Sequence, residues 1–216
     1  MEKKVKYSPA RLALKYLEYF FRAQNGKGHG VHSPFVFDFI VNVLNDDRDY
    51  YAYTDVEYLR AQLLQDRSLI EVEDLGAGSG GAEPVKRKIS GIARHMAKPA
   101  RYARLLFRMV NYYAPRSVLE LGASLGLTTA YLAYAGVPVI TMEGSRAIAA
   151  RALQNFDRLN LTNIRLLEGN FDTLLPRLRH PVVHEHPMLS FEVHAGALGT
   201  HLRDELCRRV PIGCHS

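Results

Sequence analysis

Apolar positions in the first fifth of the chain recur at helical spacing. After Ser8-Pro9, Leu12, Tyr16 and Phe20 with Leu14, Leu17 and Phe21 predict an amphipathic helix with a broad apolar face. The run Asn25-Gly26-Lys27-Gly28-His29-Gly30 breaks it. Ser33-Pro34 then opens a second helical stretch, FVFDFIVNVL, whose aromatic and aliphatic residues suit burial, and a third helix is expected near 55–65. Residues 84–116 carry nine Lys or Arg and no acid. Arg101, Arg104 and Arg108 fall at i, i+3, i+7 beside Leu105, Leu106, Met109 and Val110, which reads as a helix with either a solvated cationic face or a basic docking surface.

From 117 the rhythm changes to short apolar runs alternating with helical patterns. SVLEL reads as a strand, LGLTTAYLAYAG as a helix ended by Gly136, and PVITME as a strand. SRAIAARALQNFDRL reads as a helix capped by Ser145 with Ile148, Ala152 and Phe156 on one face, and NIRLLEG as a third strand. Strands separated by helices of this length predict right-handed βαβ units. The fold class expected is therefore α/β, a Rossmann-like parallel sheet, open to being incomplete, with an N-terminal helical region. The boundaries expected are 1–116 for that region, 117–178 for the core and 179–216 for a divergent tail.

Composition narrows the class without naming a function. The 216 residues are 47% hydrophobic and 23% charged, as in a globular chain large enough to bury a core without staples. Both cysteines, Cys207 and Cys214, lie in the last ten residues, so no disulfide framework holds the body. A net charge of +6 and a pI near 9.3 favour anionic partners weakly. The opening MEKKVKYSPARLALKYLEYFF interrupts its apolar stretch with Arg11, Lys15 and Glu18, and the expectation is a cytoplasmic protein with neither signal peptide nor membrane span.

The chemistry concentrates where the first parallel strand runs into Gly122-Ala123-Ser124-Leu125-Gly126. In a doubly wound sheet, ligands bind at the carboxyl ends of such strands, where small residues admit a ligand against the backbone and a helix N-terminus offers N–H groups. Glu143 ends the next strand 21 residues after Gly122, where a carboxylate can accept from both hydroxyls of a ribose. The turn lacks the G-x-G-x-x-G of a dinucleotide fingerprint, so a nucleoside ligand without pyrophosphate fits better.

These residues resemble the first motif of the class I S-adenosylmethionine-dependent methyltransferases, in particular the small-molecule O-methyltransferase type. The resemblance covers 117–178 and, more loosely, YLEYFFRAQNGKGHGVHSPFVFDF, which is similar to a helical extension of bacterial members. It implies S-adenosylmethionine as cofactor and methyl transfer to a small-molecule acceptor, not to nucleic acid, with a homo-oligomer left open. It places Glu120, Gly122 and Ser124 along the methionine and ribose portion, Thr128 facing the methionine carboxylate and Glu143 at the ribose, with Ala123, Gly126 and Gly144 also binding the cofactor. Glu168-Gly169-Asn170-Phe171-Asp172 is similar to the third motif, which puts Asn170 and Phe171 near adenine. It names no catalytic base and no metal ligand.

The family pattern stops near Leu178. The remaining stretch holds six of the nine His and both Cys, and the expectation is that it does not continue the fold, at the cost of activity. A strand MLSFEV imitating a fourth strand is the alternative. Gly122-Ala123-Ser124-Leu125-Gly126 also satisfies G-x-S-x-G, the nucleophile elbow of a serine hydrolase, with Asp172 and His194 or His201 as partners in chain order. Asp74-Leu75-Gly76-Ala77-Gly78-Ser79-Gly80-Gly81 is richer in glycine, but IEVED before it is too charged for a buried strand, so a loop is expected. His180, His184 and His186 with the two Cys lack zinc-site spacing, and His29 and His32 read as turn residues or as an acid or base. A non-catalytic nucleoside- or anion-binding protein is the rival function.

Overall fold

The computed structural model describes residues 33–73, 84–178 and 189–192. The chain divides into two compact units, Met1–Arg48 and Asp49–Ser216. The boundary expected at 116/117 lies inside the second.

In the first unit, Ser33 caps helix α1 (Pro34–Phe39), its hydroxyl accepting from the Val36 N–H at 3.4 Å, and a π-helical turn follows over Ile40–Leu44. The burial expected of this apolar stretch is not what forms. Phe35, Val36, Phe37, Val41 and Leu44 are exposed and Val43 is buried. A short helix that is apolar all round can turn only one stripe inward. The helix expected over 12–21, with His29 and His32, lies outside the described residues.

The second unit is built on four parallel strands, β3 (Val118–Leu121), β4 (Val139–Glu143), β5 (Ile164–Glu168) and β6 (Leu189–Glu192), in spatial order β5-β4-β3-β6. Relative to their chain order this is 3-2-1-4, the first four positions of a doubly wound sheet. Helices α5 (Leu127–Tyr134) and α6 (Arg146–Arg158) make the β3–β4 and β4–β5 crossovers. Successive right-handed steps in one direction put both on one face. The chain then reverses past β3, so its return belongs to the other face. There α7 (Phe171–Leu174) and a 3₁₀ turn (Leu175–Arg177) set Phe171, Leu174 and Leu175 against Leu119, Leu121 and Met142.

The alternation of β3 follows from this layering. Val118 and Glu120 face the α5 side, while Leu119 and Leu121 face α7, and all four are buried. Val118 and Val139 pack against Val110, Leu132 and Ala133.

Residues 49–116 form an outer layer on the same helical face. Helix α2 (Tyr51–Gln65), α3 (Ile89–His95) and α4 (Ala100–Tyr113) bury Val56, Leu59, Leu63, Ile92 and Phe107 against Leu127, Tyr131 and Ile148 of α5 and α6. The region is not all helical. β1 (Leu69–Val72) and β2 (Val85–Lys88) pair antiparallel, Leu69 opposite Lys88. The IEVED stretch, read as too charged for a buried strand, contributes to a strand that is mostly unburied, with Glu71 exposed and Val72 buried. The glycine-rich stretch 74–81 lies outside the described residues.

The fourth strand corrects the expectation for the tail. Leu189–Glu192 pairs parallel with β3, Val118 opposite Leu189 and Leu121 opposite Glu192. Among the described residues no helix is long and apolar enough to cross a membrane.

Candidate functional site

The strand order reverses between β3 and β6, and a doubly wound sheet opens its ligand crevice at that point, beyond the carboxyl ends of the strands. Three turns leave those ends: 122–126 after β3, 144–145 after β4, and 169–170 after β5.

The first turn is shaped by two residues that need left-handed backbone. Gly122 has φ 94° and Gly126 φ 82°. A Cβ on Gly126 would lie 2.4 Å from Cε1 of Phe156, so α6 packs where only glycine leaves room. Ser124 between them also takes positive φ, 49°. Asn155, fully buried on α6, donates from Nδ2 to the Leu125 carbonyl at 2.9 Å and fixes the turn from beneath.

Glu143 joins the turns. Its Oε2 accepts from the Ser124 N–H at 2.8 Å and its Oε1 from the Ser145 N–H at 3.0 Å. The Gly169 N–H donates to the Glu143 carbonyl at 2.9 Å, which draws the third turn alongside. The Gly122 and Ala123 N–H groups both donate to the Met142 carbonyl, at 3.0 and 2.9 Å. These two N–H groups of the turn are therefore committed to the sheet. The donors without intrahelical acceptors are those of the first turn of α5.

Glu120 is buried completely and does not reach the crevice surface. Thr129 on α5 donates to its Oε2 at 2.5 Å and Thr141, directly opposite on β4, at 2.7 Å. Its Oε1 is buried without a hydrogen-bond partner among the described residues. Burial pushes its carboxyl up to about 7, with Glu143 adding to the rise and the two threonines and Lys98 opposing it.

The sequence-derived residues thus separate into groups. Gly122, Ala123, Ser124, Glu143, Gly144 and Gly169 come together at the crevice. Thr128 is buried on α5. The Asn170 side chain caps α7, accepting from the Asp172 N–H at 2.8 Å, and Phe171 is half-buried under the sheet. Of the hydrolase partners, Asp172 is exposed, while His194 and His201 lie outside the described residues, as do His180, His184, His186, Cys207 and Cys214. Sequence reading missed Asn155, Thr129, Thr141 and Lys98. Thr141 becomes visible only when β3 and β4 are paired in register, and Asn155 only when α6 is laid over the β3 turn.

No family model matches the chain. A curated relative, the protein-L-isoaspartate O-methyltransferase of Alkalilimnicola ehrlichii, is 34% identical over 80 residues, which are 37% of this chain and 36% of that protein. The match thus spans about a third of the relative's length. Solved structures similar in fold include an SAH-bound methyltransferase of Podospora anserina (13% identity, TM-score 0.47, 90% of this chain and 62% of that one). Others are the SAM complex of the O-methyltransferase TomG from Streptomyces achromogenes (16%, 0.45, 68% and 55%) and an O-methyltransferase from Bacillus cereus in complex with SAH (18%, 0.43, 68% and 57%).

Proposed function

We propose that the chain is a class I methyltransferase that binds S-adenosylmethionine at the carboxyl ends of β3 and β4 and acts on a small-molecule acceptor. The observation that carries this reading is Glu143. A carboxylate has about four lone-pair sites, and the Ser124 and Ser145 N–H groups occupy two of them, one on each oxygen. Two remain for the paired hydroxyls of a ribose, and the backbone bonds hold the carboxylate in place before any ligand arrives. The Gly122 turn supports the same reading by bringing the backbone close to that ribose.

The residues fit the cofactor at the ribose better than elsewhere. Glu143 and Gly144 would hold the ribose, the turn 122–126 would border the methionine portion, and Phe171 with Asn170 would border adenine. Bound there, the cofactor supplies a methyl on a sulfonium, and the chain orients the acceptor in line with it and excludes water. Glu120 acts from beneath the turn, as a carboxyl that holds α5 and β4 to β3.

Calorimetric titration with S-adenosylhomocysteine tests the assignment. Hydrogen bonds to charged groups are worth ~1.5–3 kcal/mol each, so Glu143→Ala should weaken binding roughly tenfold or more. Equal affinity in the variant would remove Glu143 from the site.

A further inference from the structure

A second cavity of about 670 Å³ opens between α2 and α6, on the helical side of the molecule. Leu59, Leu63 and Leu159 give it an apolar lining, and Asp55, Asp66, Arg151 and Arg158 give it charge. It is separate from the crevice. Glu143 precedes the N-terminus of α6, whereas Arg158 ends that 13-residue helix, ~18 Å along its axis at 1.5 Å per residue.

Formally the two acids balance the two arginines, but their bonding does not. Asp66 is engaged on both oxygens: Oδ1 accepts from the Ser68 N–H at 2.9 Å and its hydroxyl at 2.6 Å, and Oδ2 accepts from Arg151 Nη2. Asp55 accepts from the Tyr134 hydroxyl at 3.0 Å. The donors are less fully engaged. Arg151 donates to Asp66 and, from Nη1, to Gln154 Oε1 at 3.3 Å, which leaves its buried Nε without a partner, and the exposed Arg158 acts on Asp66 through space without a hydrogen bond to it among the described residues. The Asn155, Phe156 and Asp157 carbonyls near the end of α6 are met by the Leu159, Asn160 and Leu161 N–H groups. A cavity with an exposed guanidinium above an apolar lining suits an oxyanion carried on a small apolar body, because a guanidinium presents paired N–H groups in the geometry of a carboxylate or phosphate.

We propose that the cavity between α2 and α6 is an accessory site for a small organic oxyanion, held by Arg158 and Arg151 with its apolar part on Leu59, Leu63 and Leu159. The site is independent of the methyltransferase reading. Titration calorimetry of the full 216-residue chain with phenyl phosphate, benzoate and inorganic phosphate, at constant ionic strength, tests it. The expected result is saturable binding of phenyl phosphate or benzoate, the tighter of the two identifying the headgroup, with inorganic phosphate weaker. Arg158→Gln, at an exposed position that leaves the fold intact, should weaken binding at least tenfold, Arg158→Lys less, and Glu143→Ala not at all. Three results would overturn the proposal: no saturable binding of either aromatic probe, equal affinity in Arg158→Gln, or loss of binding in Glu143→Ala.

Discussion

Glu120 concentrates the physics of the site into one side chain. A carboxyl with no exposure would ordinarily be a liability in the middle of a sheet. Two threonine hydroxyls on Oε2 reduce that cost, and the unpartnered Oε1 keeps part of it. Burial raises its pKa from the ordinary 4.5 to about 7. Between those values the folded chain holds a proton that the unfolded chain has released, so stability falls as pH rises through that window and levels off above it. At 1.36 kcal/mol per pKa unit, the gap between 4.5 and about 7 amounts to ~3 kcal/mol. Glu120→Gln, which stays neutral, should flatten the dependence and match or exceed the parent in urea unfolding at pH 8. A variant with the parent's pH slope would show that another group carries it. The sequence marked this glutamate as important but assigned it to the cofactor surface. Its real partners depend on strand register and on the face presented by α5, neither of which a linear pattern contains.

Among the elements, those with strong periodicity were legible from the sequence and those defined by long-range pairing were not. The helix face Ile148, Ala152 and Phe156 forms as its spacing predicts, and all three residues are buried. α4 forms too, but its cationic stripe is neither wholly solvated nor free for docking. The Arg104 guanidinium lies 4.7 Å from the ring centroid of Tyr53, and its hydrogen bond with Tyr131 holds its pKa up. β1 and β2 were missed because a two-stranded hairpin needs only one inward residue, here Val72, and so carries little apolar signal. β6 was expected to be absent because no strand-helix alternation follows it. Its evidence is its pairing with β3, whose four buried residues have strands on both sides. A chain ending at Leu178 would leave β3, apolar but for Glu120, as an unpaired edge, and such edges recruit other chains. Sedimentation velocity should therefore show that variant associating at concentrations where the full chain does so less. Identical sedimentation of the two would mean that β6 does not protect β3.

For the molecule as a whole, the sheet and the outer helical layer share one compact unit from Asp49 onward, so residues 49–116 act as part of the scaffold that holds the crevice. α2, α4 and α5 meet through Tyr53, Phe107 and Tyr131, and the Tyr131 hydroxyl donates to Glu57 at 2.9 Å. α6 ties this layer to the β3 turn through Phe156 and Asn155. On the reading proposed above, the three turns linked by Glu143 form a single nucleoside site. Hydrogen–deuterium exchange of the full chain, with and without S-adenosylhomocysteine, tests it most directly. Slower exchange is expected at 122–126, 143–145 and 169–171, with the cavity between α2 and α6 unchanged. Unaltered exchange at all three turns under saturating ligand, or protection confined to other parts of the chain, would contradict it.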